Sequence, residues 1–241
     1  MRAYWRDSRA PRYSLLFALP LFLLYQVLAA MAPADPGGGL RNGADVILQT
    51  LFVRIAGSRG PLLFLVCLVV AGLWLVLRDV RSHERDLRPG VFALMLVEAS
   101  LLAVVFGTVV SLITSQIMHV TATLRPARLA QLGPGTRVML SLGAGLYEEL
   151  LFRVLLVGGL AWTGRALLGF RPLVAGLWAA LLGALVFAAF HYIGPYGDRL
   201  EPYSFVFRTI AGLALSALFL LRGFGITAWT HALYDLLLLL R

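Results

Sequence analysis

Residues 138–160 read VMLSLGAGLYEELLFRVLLVGGL, and this stretch decides the fold. A helix needs roughly 20 apolar residues to cross a bilayer, so a run of this length and character predicts a membrane span. Yet Glu148, Glu149 and Arg153 sit inside it. A charge at bilayer depth costs roughly 2.5–3.5 kcal/mol on insertion scales, which makes intramembrane charges a functional site by default. Working outward, two further apolar runs hold polar groups. Phe187 precedes His191 by four residues near the end of 173–193, and His231 precedes Asp235 by four within 224–240.

The whole chain has the same character. Of its 241 residues 60% are hydrophobic and 14% charged, whereas a soluble domain is nearer a quarter charged. The spans are expected at about 14–33, 61–78, 91–118, 138–160, 173–193, 205–221 and 224–240. Lipid cannot satisfy backbone polar groups, so such runs are helices. The expected fold is all-α, a polytopic transmembrane bundle of about seven or eight helices. Residues 45–56 are expected as an interfacial helix or an eighth, partial span, because Asp45, Gln49 and Arg54 interrupt their helically spaced apolar positions. The run 36–39, proline followed by three glycines, is expected as a loop.

The net charge of +9 comes from 21 arginines and no lysine. These arginines are scattered through tails and short loops, a pattern that suits the positive-inside rule and anionic lipid rather than nucleic acid. The arginine-rich N-terminus and the connection 78–88 are both expected to face the cytoplasm. Exclusive use of arginine suggests a GC-rich bacterial genome, hence the bacterial inner membrane. Cys67 is the only cysteine, which excludes an internal disulfide and a cysteine metal cluster. It reads as a small buried hydrophobe.

Residues four apart share a helix face, so Glu149 and Arg153 can pair. Glu148, turned about 100° away, is left to point into a cavity. Phe187 shares a face with His191, and His231 with Asp235. A carboxylate and a histidine that reach one water can deprotonate it, and a second histidine can stabilise the oxyanion that follows. That combination fits amide hydrolysis inside a membrane. Two histidines and a glutamate (His191, His231 and Glu148) also make a catalytic zinc set, although here they would come from three separate helices. Non-proteolytic peptide binding and proton-coupled transport are further readings of the same residues. Glu98 is expected either to face the cavity or to pair with an arginine.

At these residues the chain resembles the CPBP family, the CAAX prenyl endopeptidase and bacteriocin-processing (Abi) intramembrane proteases. That family's double glutamate with arginine four residues after the second, its phenylalanine four before a histidine, and its histidine four before an asparagine or acid all occur here in order. The resemblance covers 138–240 and places the protease core at 131–241. Residues 1–130 are N-terminal transmembrane helices and loops that match only in being apolar. It implies a glutamic endopeptidase without metal or other cofactor, acting on a membrane-associated protein or peptide. Glu148 and His191 would activate water, His231 and Asp235 would form the oxyanion site, and Glu149, Arg153 and Phe187 would support it. Asp235 stands where the prenyl-protease branch has asparagine, and as an oxyanion donor it must be protonated or must act by orienting His231.

Overall fold

The computed structural model describes residues 2–32, 40–82, 87–119, 132–194 and 197–240, which are helical with no strand among them. The expected loop at 36–39 and part of the 78–88 connection (83–86) lie outside the described residues. The helices are α1 (Arg2–Arg9), α2 (Pro11–Met31), α3 (Gly43–Ala56), α4 (Gly60–Ser82), α5 (Pro89–Met118), α6 (Pro134–Gly143), α7 (Gly158–Ala166), α8 (Pro172–Phe190), α9 (Pro202–Arg222) and α10 (Phe224–Leu238). Between α6 and α7 the backbone stays helical but widens into two π-helical segments, π1 (Ala144–Glu148) and π2 (Leu150–Val157). Proline opens α2, α5, α6, α8 and α9. Its missing N–H falls where a helix leaves one unpaired anyway.

Five stretches are long and apolar enough to cross a membrane, namely Pro11–Met31, Gly43–Ser82, Pro89–Met118, Pro172–Phe190 and Pro202–Arg222. The remaining crossings are the interrupted path from α6 to α7 and the shorter α10, the elements that carry most of the polar residues. Outward faces are apolar: Leu62, Val70, Leu73 and Trp74 on α4 and Leu101, Val104 and Leu112 on α5 are all more than half exposed. Water would penalise apolar faces of this extent, and lipid does not. Cys67 belongs to such a face. It is exposed, not buried, because α4 turns this side outward.

α10 is the central helix, packed against α2, α5, α6, α9 and π1. Residues Gly225–Ala228 and Thr230–Ala232 are buried within it. Gly223, at φ 80, makes the bend that lets α10 follow α9 without an intervening loop. α3 departs from the interfacial expectation. Asp45 is fully buried and accepts from the Tyr25 hydroxyl at 2.8 Å, so the start of α3 lies inside the bundle.

One end of the bundle is tied by ion pairs. Arg12 meets Asp79 at 3.4 Å, Arg88 pairs with Asp7, and Arg222 holds both carboxylate oxygens of Glu98 at 2.6 and 2.7 Å. Arg222 also lies 4.0 Å from the Trp5 ring centroid. Burial, and then the Glu98 carboxylate to which it donates, raise the Tyr4 hydroxyl pKa, so Tyr4 remains a donor. The N-terminus and the flanks of the 78–88 connection therefore share one end, and Glu98 serves that end.

Candidate active site

Consecutive glutamates leave the junction of π1 and π2 in different directions. Glu148 Oε1 accepts from Asn42 Nδ2 at 2.9 Å, while its Oε2 lies 3.9 Å from His191 Nε2. Glu149 Oε1 accepts from His231 Nδ1 at 2.7 Å, and its Oε2 lies 3.2 Å from Arg153 Nε. The spacing of four does pair Glu149 with Arg153. The same glutamate also reaches across to α10 and fixes a histidine.

Phe187 stands at the centre. Its ring meets His191 at 4.8 Å and Phe152 at 5.3 Å, both edge-on. It meets His231 at 6.2 Å and carries the Arg153 guanidinium 4.4 Å above its centroid. A cation over an aromatic face is attracted by the ring quadrupole. One phenylalanine thus spaces the two histidines and covers the arginine.

The hydrogen bonds assign the tautomers. His191 Nδ1 lies 2.8 Å from the Phe187 carbonyl. A carbonyl only accepts, so Nδ1 carries the proton and Nε2 presents a lone pair toward Glu148. His231 Nδ1 likewise donates to Glu149, leaving Nε2 3.8 Å from Asp235 Oδ2. Asp235 is partly exposed whereas Glu148, Glu149, Arg153 and His231 are buried. The seven residues singled out by sequence form one connected cluster.

Backbone and rim keep His191 in place. It ends α8, and its carbonyl accepts from Asp198 N–H at 2.9 Å. Arg208 pairs with Asp198 and lies 5.0 Å over the Tyr192 ring, while the Tyr192 hydroxyl donates to Ser204 at 2.8 Å. The polar connection after His191 is therefore pinned to α9. Tyr196 lies outside the described residues.

Sequence reasoning missed Asn42. An Asn-Gly pair just after a glycine-rich run reads as a turn, and nothing local joins it to a glutamate 106 positions away. Its one legible signal is its place before α3, whose first turn it caps by accepting from Ala44 N–H at 2.9 Å. The site therefore draws on the N-terminal part of the chain as well as on the three segments that carry the polar motifs.

Among the described residues, no three His, Cys, Asp or Glu side chains group as metal ligands would. Each histidine of the cluster commits Nδ1 to a protein acceptor and leaves Nε2 as the nitrogen that faces the site.

Residues 130–237 match the model of a family described as type II CAAX prenyl endopeptidase Rce1-like. That stretch contains all three polar motifs, whereas Asn42 and Tyr25 fall outside it. No curated protein and no solved structure matches the chain.

Proposed function

We propose, from the match of residues 130–237 to the type II CAAX prenyl endopeptidase Rce1-like family, that this membrane protein hydrolyses peptide bonds with water activated by Glu148 and His191, without a metal. One observation carries the reading. Glu148 Oε2 and His191 Nε2 face each other 3.9 Å apart, and with His191 Nδ1 holding its proton both facing atoms are acceptors. Two acceptors at that distance call for a species with two donors between them, and a water molecule is one. Its oxygen can lie within hydrogen-bond reach of both.

As the water oxygen bonds to the substrate carbonyl carbon, its proton passes to the Glu148–His191 pair. The carbonyl oxygen becomes an oxyanion. With Nδ1–H given to Glu149, the donor that His231 offers the oxyanion is Nε2 of the doubly protonated ring. Collapse breaks the C–N bond, and the proton held by Glu148–His191 goes to the departing amine. General acid–base help of this kind contributes typically 10²–10⁴-fold, and one oxyanion donor roughly 10²–10³-fold. Glu149 orients His231, and Asp235 sets the charge beside its Nε2.

The substrate is a membrane-associated protein or peptide. The bacterial inner membrane is the setting that the all-arginine composition supports.

Co-expressing the wild type, Glu148→Ala, His191→Ala and His231→Ala with membrane-protein substrates from the same gene neighbourhood tests the reading. Wild type is expected to shorten a substrate that all three variants leave intact. Identical products from all four would end the protease reading. Wild-type cleavage is expected to survive a chelator; activity lost to chelation and restored by zinc would overturn the metal-free mechanism.

A further inference from the structure

Asn42 has two hydrogen-bonding ends, and the structure uses both. Its Oδ1 accepts from Ala44 N–H at 2.9 Å and starts α3. Its Nδ2 donates to Glu148 Oε1 at 2.9 Å. A residue needed only as a helix cap would use the first bond alone, and Ser or Asp would do equally well. An amide caps with one terminal atom and donates to a carboxylate with the other, whereas a serine hydroxyl would have to do both from a single, shorter-reaching oxygen and an aspartate has no donor to offer.

Asn42 is itself held from behind. Its backbone N–H donates to the Tyr25 hydroxyl at 3.2 Å, and Tyr25 donates to Asp45 at 2.8 Å. Asp45 also receives Arg41 at 2.9 Å and Gln49 at 2.7 Å. The Tyr25 ring meets the Tyr147 ring edge-on at 5.0 Å, immediately before Glu148. Gln26 then donates to the Tyr147 hydroxyl at 2.8 Å. Elements from α2 and α3 thus grip both Asn42 and the end of π1.

From this geometry we infer that Asn42 is the positioning residue of the water-activating glutamate: it binds Glu148 Oε1 so that Oε2 alone is turned to His191. The inference rests on the hydrolytic reading above. It gives the region before residue 130, outside the family match, a direct part in the reaction, so residues 130–237 would not suffice for activity.

Three substitutions in the full-length protein separate positioning from capping. Asn42→Ser keeps a cap, but its one short hydroxyl cannot cap and also reach Glu148, and Asn42→Asp keeps a cap but sets an acceptor oxygen against the carboxylate. Asn42→Ala loses both functions. Misplacing a reacting group by about 1 Å can cost 10²-fold. Asn42→Ser is therefore expected to lose about 100-fold in kcat, with KM and the melting temperature close to wild type, and Asn42→Asp to lose at least as much while melting lower, because it buries a second carboxylate against Glu148. Asn42→Ala should lose as much kcat and in addition melt lower. If the Ser and Asp variants keep wild-type kcat while Ala melts lower, Asn42 is only a cap and the inference is overturned. Glu148→Gln, run beside them, keeps the two questions apart. Wild-type cleavage lost in Glu148→Gln but kept in the Asn42 variants removes this inference alone, whereas cleavage that persists in Glu148→Gln removes the hydrolytic reading as well.

Discussion

Arg153 is buried to 1% exposure, and none of its three guanidinium nitrogens makes a hydrogen bond among the described residues. Its charge is met by Glu149 and by the Phe187 ring rather than by a full set of hydrogen bonds. Removing one partner of a buried pair typically costs about 3–5 kcal/mol because the other charge is left uncompensated, and the cost falls where that charge keeps another partner. Glu149 has a second bond, to His231, and Arg153 does not. Glu149→Leu is therefore expected to destabilise by about 3–5 kcal/mol and to abolish cleavage, since it strands Arg153 and frees His231. Arg153→Met should cost much less and leave measurable cleavage, because Glu149 keeps His231. Thermal unfolding in detergent and a cleavage assay check both; equal losses would show that Arg153 matters as much as the histidine. The Glu149–Arg153 pair was legible in the sequence because four-residue spacing fixes it locally. The Glu149–His231 bond was not, because it spans 82 positions and depends on how α10 meets π2.

The contact between π1 and α10 sets the position of both glutamates. Gly145 makes that contact possible: a Cβ there would stand 2.4 Å from the Ala228 carbonyl oxygen and 2.6 Å from the Ala232 Cβ. Neither obstacle can swing away. Gly145→Ala is expected to cost about 1–3 kcal/mol as overpacking and to reduce cleavage further than that cost implies, by pushing Glu149 from His231. Gly159→Ala, where nothing lies within 4 Å, serves as the control and should melt at or slightly above wild type. If both behave alike, π1 is not held by close packing on α10. The spans themselves were readable from apolar run length. The π-helical widening was not, since apolar periodicity around 145–157 is compatible with either helix type. Of the two readings of residues 45–56, the interfacial one fails and the partial span fits better, because Asp45 is satisfied inside the bundle by Tyr25, Arg41 and Gln49.

The whole bundle has an arginine-rich end, where α1, the end of α4, the start of α5 and the end of α9 are joined by ion pairs. Positive-inside bias predicts that this end faces the cytoplasm. Arg199 precedes α9 and stands at its opposite end, because Arg222 closes α9 among the ion pairs. In a Cys67→Ser background, cysteines at Arg9 and Arg81 should react with a membrane-impermeant maleimide from the cytoplasmic side and a cysteine at Arg199 from the other. Labelling of positions 9 and 199 from one side would contradict the topology. The account stands above all on Glu148 as the group that activates water. Its most direct test is the isosteric Glu148→Gln variant, purified, reconstituted in lipid and assayed for kcat beside wild type on the same membrane-borne substrate. A fall of about 10³-fold or more at unchanged melting temperature is the predicted result, within the range that acid–base and positional catalysis can supply together. A Glu148→Gln variant that cleaves within about tenfold of wild type, a loss smaller than acid–base catalysis alone typically supplies, would contradict it.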